Sequence, residues 1–308
     1  MPALSRRRFL TIAACAGALG TRVSAAAPEV TQWHATALGA RTTLSLAHPD
    51  ARIIAARVFT ELDRLEGIFS LYRADSALSR LNRDGALPAP PFELLECLSL
   101  CNRVHNASGG LFDPTVQPLW QAYARHYTND VPNPADIEQA RKLTGWQGVT
   151  FDSTTVRFDQ PGMAITLNGI AQGYIADRIA DMLARDGLRD IMVDTGELRA
   201  LGGHPQGGGW PVRLHTVEGA ETGTAHLRDM AMATSSPMGT RFDPGNPAGH
   251  ILNPRTGAPS QAEWSLISVT GPGAALADGL STAMCLMDRP AITATLAQFD
   301  GMRLAHLS

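Results

Sequence analysis

The chain has 308 residues, 44% of them hydrophobic, and a formal net charge of -3, which is enough apolar content for one large core or two modest ones. Without a basic excess, and with no basic run beyond the N-terminus, it lacks the electrostatic footprint that nucleic acid requires, so nucleic acid is excluded as a partner.

The N-terminus reads Ser5-Arg6-Arg7-Arg8-Phe9-Leu10, then a short run of apolar and small residues, then Val23-Ser24-Ala25. This is the order of an export signal, and consecutive arginines before Phe-Leu resemble the twin-arginine type, which moves folded proteins. We expect residues 1–25 to be the signal, residues 26–308 a single mature domain, and the location periplasmic. Ile12-Ala13-Ala14-Cys15 also has the look of a lipoprotein cleavage box, which makes a lipid on Cys15 the alternative. Losing the signal leaves Cys97, Cys101 and Cys285, an odd number without metal-type spacing. No disulfide framework is expected, and Cys97 and Cys101 read as core positions one helical turn apart.

Residues 31–46 alternate polar and apolar side chains as an opening strand does. Residues 50–69 follow a helical period with Ile53, Ile54, Val58, Phe59, Leu62, Leu65 and Ile68 on one side, and residues 92–105 repeat it through Leu94, Leu95, Leu98, Cys101 and Val104 before Gly109-Gly110 stops the helix. Asn133-Pro134 reads as the N-cap and first position of a short helix ending at Thr144-Gly145. Residues 149–158 and 164–167 predict strands, residues 173–185 a helix, and residues 190–194 a strand. Further strands are predicted over 211–214, 223–227 and 265–269, and helices over 274–287 and 291–298. The glycine-rich stretch 202–210 reads as a long surface loop. Strands come in groups without strict strand-helix alternation, so the fold class is α+β.

Five segments carry chemistry. Asp278 and Thr282 lie four apart on a predicted helix, which brings a carboxylate and a hydroxyl to one face, as suits a hard divalent ion. Taken alone, such a pair is more often a solvated Asp and a back-bonded hydroxyl. Tyr72 ends a helix, where it either stacks on a flat ring or plugs a core edge. Leu111-Phe112-Asp113 follows two glycines, in a loop that permits close ligand approach or is simply an Asp-Pro turn. The run Thr166-Leu167-Asn168-Gly169-Ile170-Ala171-Gln172-Gly173 passes from strand to helix and offers a helix start to an anion. It is neither a Walker loop nor a dinucleotide fingerprint. His250 precedes the turn Asn253-Pro254-Arg255-Thr256-Gly257 and has the proton affinity for work at neutral pH.

In order and spacing, FSLYRADSALSRLN, GGLFDPTV, NGIAQGYIAD, HILNPRTG and ADGLSTAM together resemble the ApbE family of FAD:protein FMN transferases, over nearly the whole mature chain. The form TLNGIAQGYIADRIADML followed by VDTGELRALG is similar to its NosX-like branch. The resemblance implies a two-lobed α+β architecture, related to the T-fold, with FAD in a central cleft. It also implies Mg²⁺ held by the Gly169 carbonyl, Asp278 and Thr282, with flavin and adenine contacts from Leu38, Tyr72, Leu111, Phe112, Asp113, Thr166, Gln172 and Ile251. The implied reaction moves FMN from FAD to a Thr or Ser hydroxyl of a target flavoprotein, NosR-like in this branch, and releases AMP. His250 is the candidate base and Asp113 its rival, while Arg255 either pairs with a phosphate or is an exposed turn residue. The chain departs from the family where Leu38-Gly39-Ala40 replaces Met-Gly-Thr, where Thr166-Leu167-Asn168-Gly169 replaces Asp-Leu-Gly-Gly, and where Gln172 replaces a charged residue. Two alternatives keep the same site: a Mg²⁺-dependent FAD pyrophosphatase, and a periplasmic flavin-binding protein without turnover.

Overall fold

A computed structural model describes residues 29–126, 133–216, 219–242, 249–261 and 263–308. The expected export signal and Cys15 lie outside the described residues. Twelve strands and eight α-helices follow one another among the described residues, and every paired strand is antiparallel. This is the α+β class, as expected from the grouping of strands.

The chain opens with a hairpin rather than one strand. Thr31–Ala37 (β1) turns at Leu38-Gly39 and returns as Ala40–Leu46 (β2), pairing Ala37 with Ala40. Both turn residues have positive φ, 50° at Leu38 and 80° at Gly39, the two-residue turn whose twist matches the strands on either side. Leucine is disfavoured there. Its N–H is anchored by Glu66 Oε1 at 3.2 Å, from the helix Ala51–Phe69 (α1).

A seven-stranded sheet forms the centre. Beyond β1 and β2 it takes Ile191–Asp194 (β6), Leu198–Leu201 (β7), Ala231–Ser235 (β10), Ile267–Gly271 (β11) and Arg303–Leu307 (β12), in that spatial order. Alternation along the strands sends side chains to two faces. Ile191, Val193, Ala231 and Ala233 join the main core, whereas Met192, Leu198, Ala200 and Met232 join a second one. Helices α1, Ala171–Arg185 (α6) and Ala274–Met284 (α7) cover the first face. The ribbon of Trp210–His215 (β8) and Glu221–Leu227 (β9) covers the second through Trp210, Val212, Leu214 and Leu227.

The helix Phe92–Ala107 (α3) packs on α7 and buries Cys97 and Cys101 completely, in line with their reading as core residues. Ala77–Asp84 (α2), Gln117–His126 (α4), Pro134–Arg141 (α5) and Arg289–Leu296 (α8) complete the helices. Asn133 caps α5, accepting from Ala135 N at 3.0 Å. No described helix is long and apolar enough to cross a membrane.

Ile53, expected on the apolar side of α1, is 63% exposed, and two expected strands are corrected as well. The run 149–158 is a tight hairpin, Val149–Phe151 (β4) and Thr155–Phe158 (β5), which pairs with Ala86–Pro88 (β3). Residues 164–167 join no sheet. The side-chain amide of Asn82 stands in for a strand partner: Asn82 Nδ2 donates to Ile165 O and Ile165 N donates to Asn82 Oδ1, both at 2.8 Å. Thr166 N donates to Pro114 O at 2.8 Å. Extended residues that pair with a side chain give the same apolar pattern as a strand, so the pattern alone does not separate them. Replacing Asn82 by Ala leaves a buried N–H and C=O without partners, and is expected to destabilise the fold by about 2–4 kcal/mol, read as a lower urea midpoint at unchanged slope.

Candidate active site

Helices α6 and α7 meet at Gly173. A Cβ built there would lie 2.3 Å from Ala274 O, so only glycine permits this approach. The N-cap of α7 is Gly273, which has no side chain to offer. Asp177 of α6 takes over that task, its carboxylate accepting from Ala274 N and Ala275 N at 2.9 Å each, where negative charge also meets the positive helix end. Arg199 closes on the same carboxylate at 3.3 Å.

One turn further along α7, Asp278 is 3% exposed and accepts from Gly173 N at 3.2 Å. Thr282 follows on the same face, as the spacing requires. A Cβ on Gly169 would lie 3.0 Å from Thr282 Oγ1, so the backbone of Gly169 abuts the threonine. The three residues expected to hold an ion therefore converge, one from the α6 entry and two from α7. Among the described residues no group of three His, Cys, Asp or Glu could hold a metal; an ion here relies on hydroxyl and carbonyl oxygens as well.

A second acid, Glu197, immediately before β7, is within electrostatic reach of Asp278. It is buried, and its Oε2 accepts from Thr234 N at 3.2 Å. Burial raises the Asp278 carboxyl to about 8. Burial, then the Asp278 charge, raises Glu197 well above the usual range. Neither forms an ion pair among the described residues, in contrast to Asp177. Sequence reasoning did not single out Glu197; it stood inside the quoted VDTGELRALG, and its polar neighbours gave no sign of burial.

The other expected positions fall around this centre or beside it. Gln172 donates from Nε2 to Thr195 O at 2.9 Å and packs on Gly196, which ties the start of α6 to the β6–β7 turn. Thr166 Oγ1 accepts from Asn168 N at 3.2 Å. Leu111 packs at the edge of the main core, in which Phe112 and Ile251 are buried. Tyr72 lies against the hairpin tip that carries Leu38: a Cβ on Gly39 would lie 3.6 Å from the Tyr72 ring, and Tyr72 exposes 58% of its surface. At that exposure the side chain does not plug the core.

Asp113 and His250, the two candidate bases, sit in different surroundings. Asp113 Oδ1 accepts from the Thr115 amide and hydroxyl, and Oδ2 from Trp146 N at 3.1 Å. Both carboxylate oxygens thus serve the loop, while burial still raises its pKa. His250 Nδ1 lies 3.0 Å from Thr240 O. A carbonyl only accepts, so Nδ1 carries the proton and the lone pair is on Nε2. Burial lowers the His250 pKa below its ordinary value, which leaves the ring neutral at pH 7. Arg255 does not point to an unattached turn: its Nη2 donates to Gly109 O at 2.5 Å and joins the His250 loop to the Gly109–Gly110 loop.

A model of the ApbE family matches residues 20–305. Among curated proteins, the chain is 26% identical over 279 residues to an FAD:protein FMN transferase of Salmonella typhimurium, covering 85% of this chain and 80% of that one. It is 30% identical over 253 residues to an FAD:protein FMN transferase of Chlamydia pneumoniae, covering 79% of each. Among solved structures, the Pseudomonas stutzeri flavinyl transferase ApbE in apo form superposes with a TM-score of 0.77 at 26% identity, covering 90% of both chains.

The buried acid pair predicts how stability responds to pH. In the folded protein Asp278 keeps its proton up to about pH 8, whereas unfolded carboxylates lose theirs near pH 4. The folded state then binds more protons, so stability falls as pH rises across that window. Melting temperatures followed by circular dichroism in EDTA should decline from pH 5 to 8 more steeply for the wild type than for Asp278→Asn.

Proposed function

The chain belongs to the ApbE family, and from that premise we propose that it transfers FMN from FAD to a Thr or Ser hydroxyl of a target flavoprotein and releases AMP, with Mg²⁺ as the supporting ion. The observation that carries this reading is that Gly169 abuts Thr282 one turn from Asp278, a buried acid that, like Glu197, has no positive partner among the described residues. A buried carboxylate held by one backbone N–H is poorly compensated. A divalent cation supplies the missing charge, and the hard oxygen donors suit Mg²⁺.

Asp278 and Thr282, with the Gly169 carbonyl, would hold the ion. When bound, it supplies positioning and charge neutralisation at the diphosphate. The chain's own groups supply the rest. His250 is neutral at working pH, its tautomer fixed by Thr240, and Nε2 is the atom that accepts the proton from the attacking hydroxyl. Asp113, with both oxygens engaged, instead holds the loop that carries Leu111 and Phe112 toward the flavin. Tyr72, at the hairpin tip with Leu38, would stack on or flank the isoalloxazine, and Thr166, Gln172 and Ile251 would supply the remaining nucleotide contacts. Arg255, bonded to Gly109, holds two of these loops together.

For the target we propose a NosR-like membrane flavoprotein, and for the location the periplasm. The support is sequence alone: the arginine-led N-terminus and the similarity of TLNGIAQGYIAD and VDTGELRALG to the NosX-like branch.

Co-expression with a NosR-like flavin domain should add the mass of FMN to that domain in the intact-protein spectrum; an unmodified target, with FMN free in solution, would instead identify water as the acceptor. Asp278→Ala should abolish AMP release even at saturating Mg²⁺ while FAD still binds. His250→Ala should slow transfer by about 10²- to 10⁴-fold with FAD affinity preserved. In the wild type the rate should fall as pH drops through a value below 6.5, because protonation of Nε2 removes the base; a pH-independent rate from 5 to 8 would exclude His250.

A further inference from the structure

Thr282 has one hydroxyl proton and two lone pairs. To serve as an ion ligand, a role that rests on the function proposed above, it must turn a lone pair toward the ion and send the proton elsewhere. A second hydroxyl, Ser235 Oγ at the end of β10, lies 3.4 Å from Thr282 Oγ1 and 2.7 Å from Ser281 Oγ. Ser281 is completely buried, and its Oγ lies 3.0 Å from the Asp278 carbonyl.

The directions of these bonds follow from counting protons. The Asp278 carbonyl only accepts, so the single Ser281 proton goes to it. Ser281 Oγ must then accept from Ser235, which commits the single Ser235 proton. Toward Thr282, Ser235 therefore has only lone pairs to offer, and the Thr282 proton is the one that bridges them. No other assignment of one proton to each hydroxyl satisfies all three contacts.

We propose that Ser235 is a positioning residue for the ion site: by accepting the Thr282 proton it fixes the rotation of that hydroxyl and directs an oxygen lone pair to the position beside the Gly169 carbonyl. Nothing in the sequence marks Ser235, because its partners lie 46 and 47 residues away. The relay starts at the Asp278 carbonyl and ends at Thr282, so the two α7 ligands are linked through the sheet as well as along their own helix.

The test measures binding of Mn²⁺ alone to the full chain, by loss of the free-Mn²⁺ paramagnetic resonance signal, with AMP release at varied Mg²⁺ as a second readout. Ser235→Ala should weaken Mn²⁺ binding and raise the half-saturating Mg²⁺ about tenfold, in keeping with the loss of one hydrogen bond, while the rate at saturating Mg²⁺ stays within about twofold. Ser235→Thr should restore binding. Ser235→Cys, close in size but weak in hydrogen bonding, should behave as Ser235→Ala and serves if the alanine variant does not fold. In a Thr282→Val background, Ser235→Ala should weaken Mn²⁺ no further, since the group it orients is gone. Wild-type Mn²⁺ affinity in both Ser235→Ala and Ser235→Cys, or an equal loss in the Thr282→Val background, overturns the relay. Asp278→Ala separates the two levels: wild-type Mn²⁺ affinity in that variant removes the ion site and the relay together, whereas lost affinity there with none lost at Ser235 removes the relay alone.

Discussion

The contact between α6 and α7 at Gly173 is the constraint on which the site depends. Without a Cβ at that position the two backbones approach closely enough for Asp177 to reach the bare start of α7 and for Asp278 to reach Gly173 N. The two acids face opposite demands. Asp177 has two amides and Arg199 to offset the burial that raises its pKa; Asp278 has a single amide. The same crossing fixes α7 firmly by one carboxylate and leaves the next one short of positive charge, one turn along the helix.

That imbalance is reinforced by the sheet. Glu197, just before β7, is within electrostatic reach of Asp278, and among the described residues its side chain has only the Thr234 amide as a hydrogen-bond partner. Two like charges in one apolar setting do not ionise together without an opposing charge. The protein tolerates the arrangement because burial keeps a proton in the pair; under the proposed function a cation would take the place of that proton. The folded state carries an energetic burden here, of the kind that functional sites commonly carry.

Much of the helical framework could be read directly. Periodicity located α1, α3, α6, α7 and α8 to within a few residues, because an apolar face repeats every turn, and the fourfold spacing of Asp278 and Thr282 survives into the structure for the same reason. What depends on distant partners was not legible. Leu38 occupies a turn that glycine or asparagine usually signals, so the hairpin read as one strand. Residues 164–167 look like a strand but bond to Asn82. The short strands β7, β10 and β12 were missed, and with them Glu197 and Ser235, whose roles exist only once the strands lie against α7. The tautomer of His250 likewise depends on Thr240, ten residues earlier in the chain.

The order of strands in the central sheet has a consequence for how the molecule comes into being. β2 ends at residue 46 and pairs with β6, which begins at residue 191, and β12, at the C-terminal end, closes the opposite edge. Closing such long loops is entropically slow, and little rewards it until the late strands arrive. The meeting of α6 with α7 is therefore a late event: a ribosome-bound fragment that still lacks α7 has neither Asp278 nor Thr282, and its Gly173 has no helix start to receive.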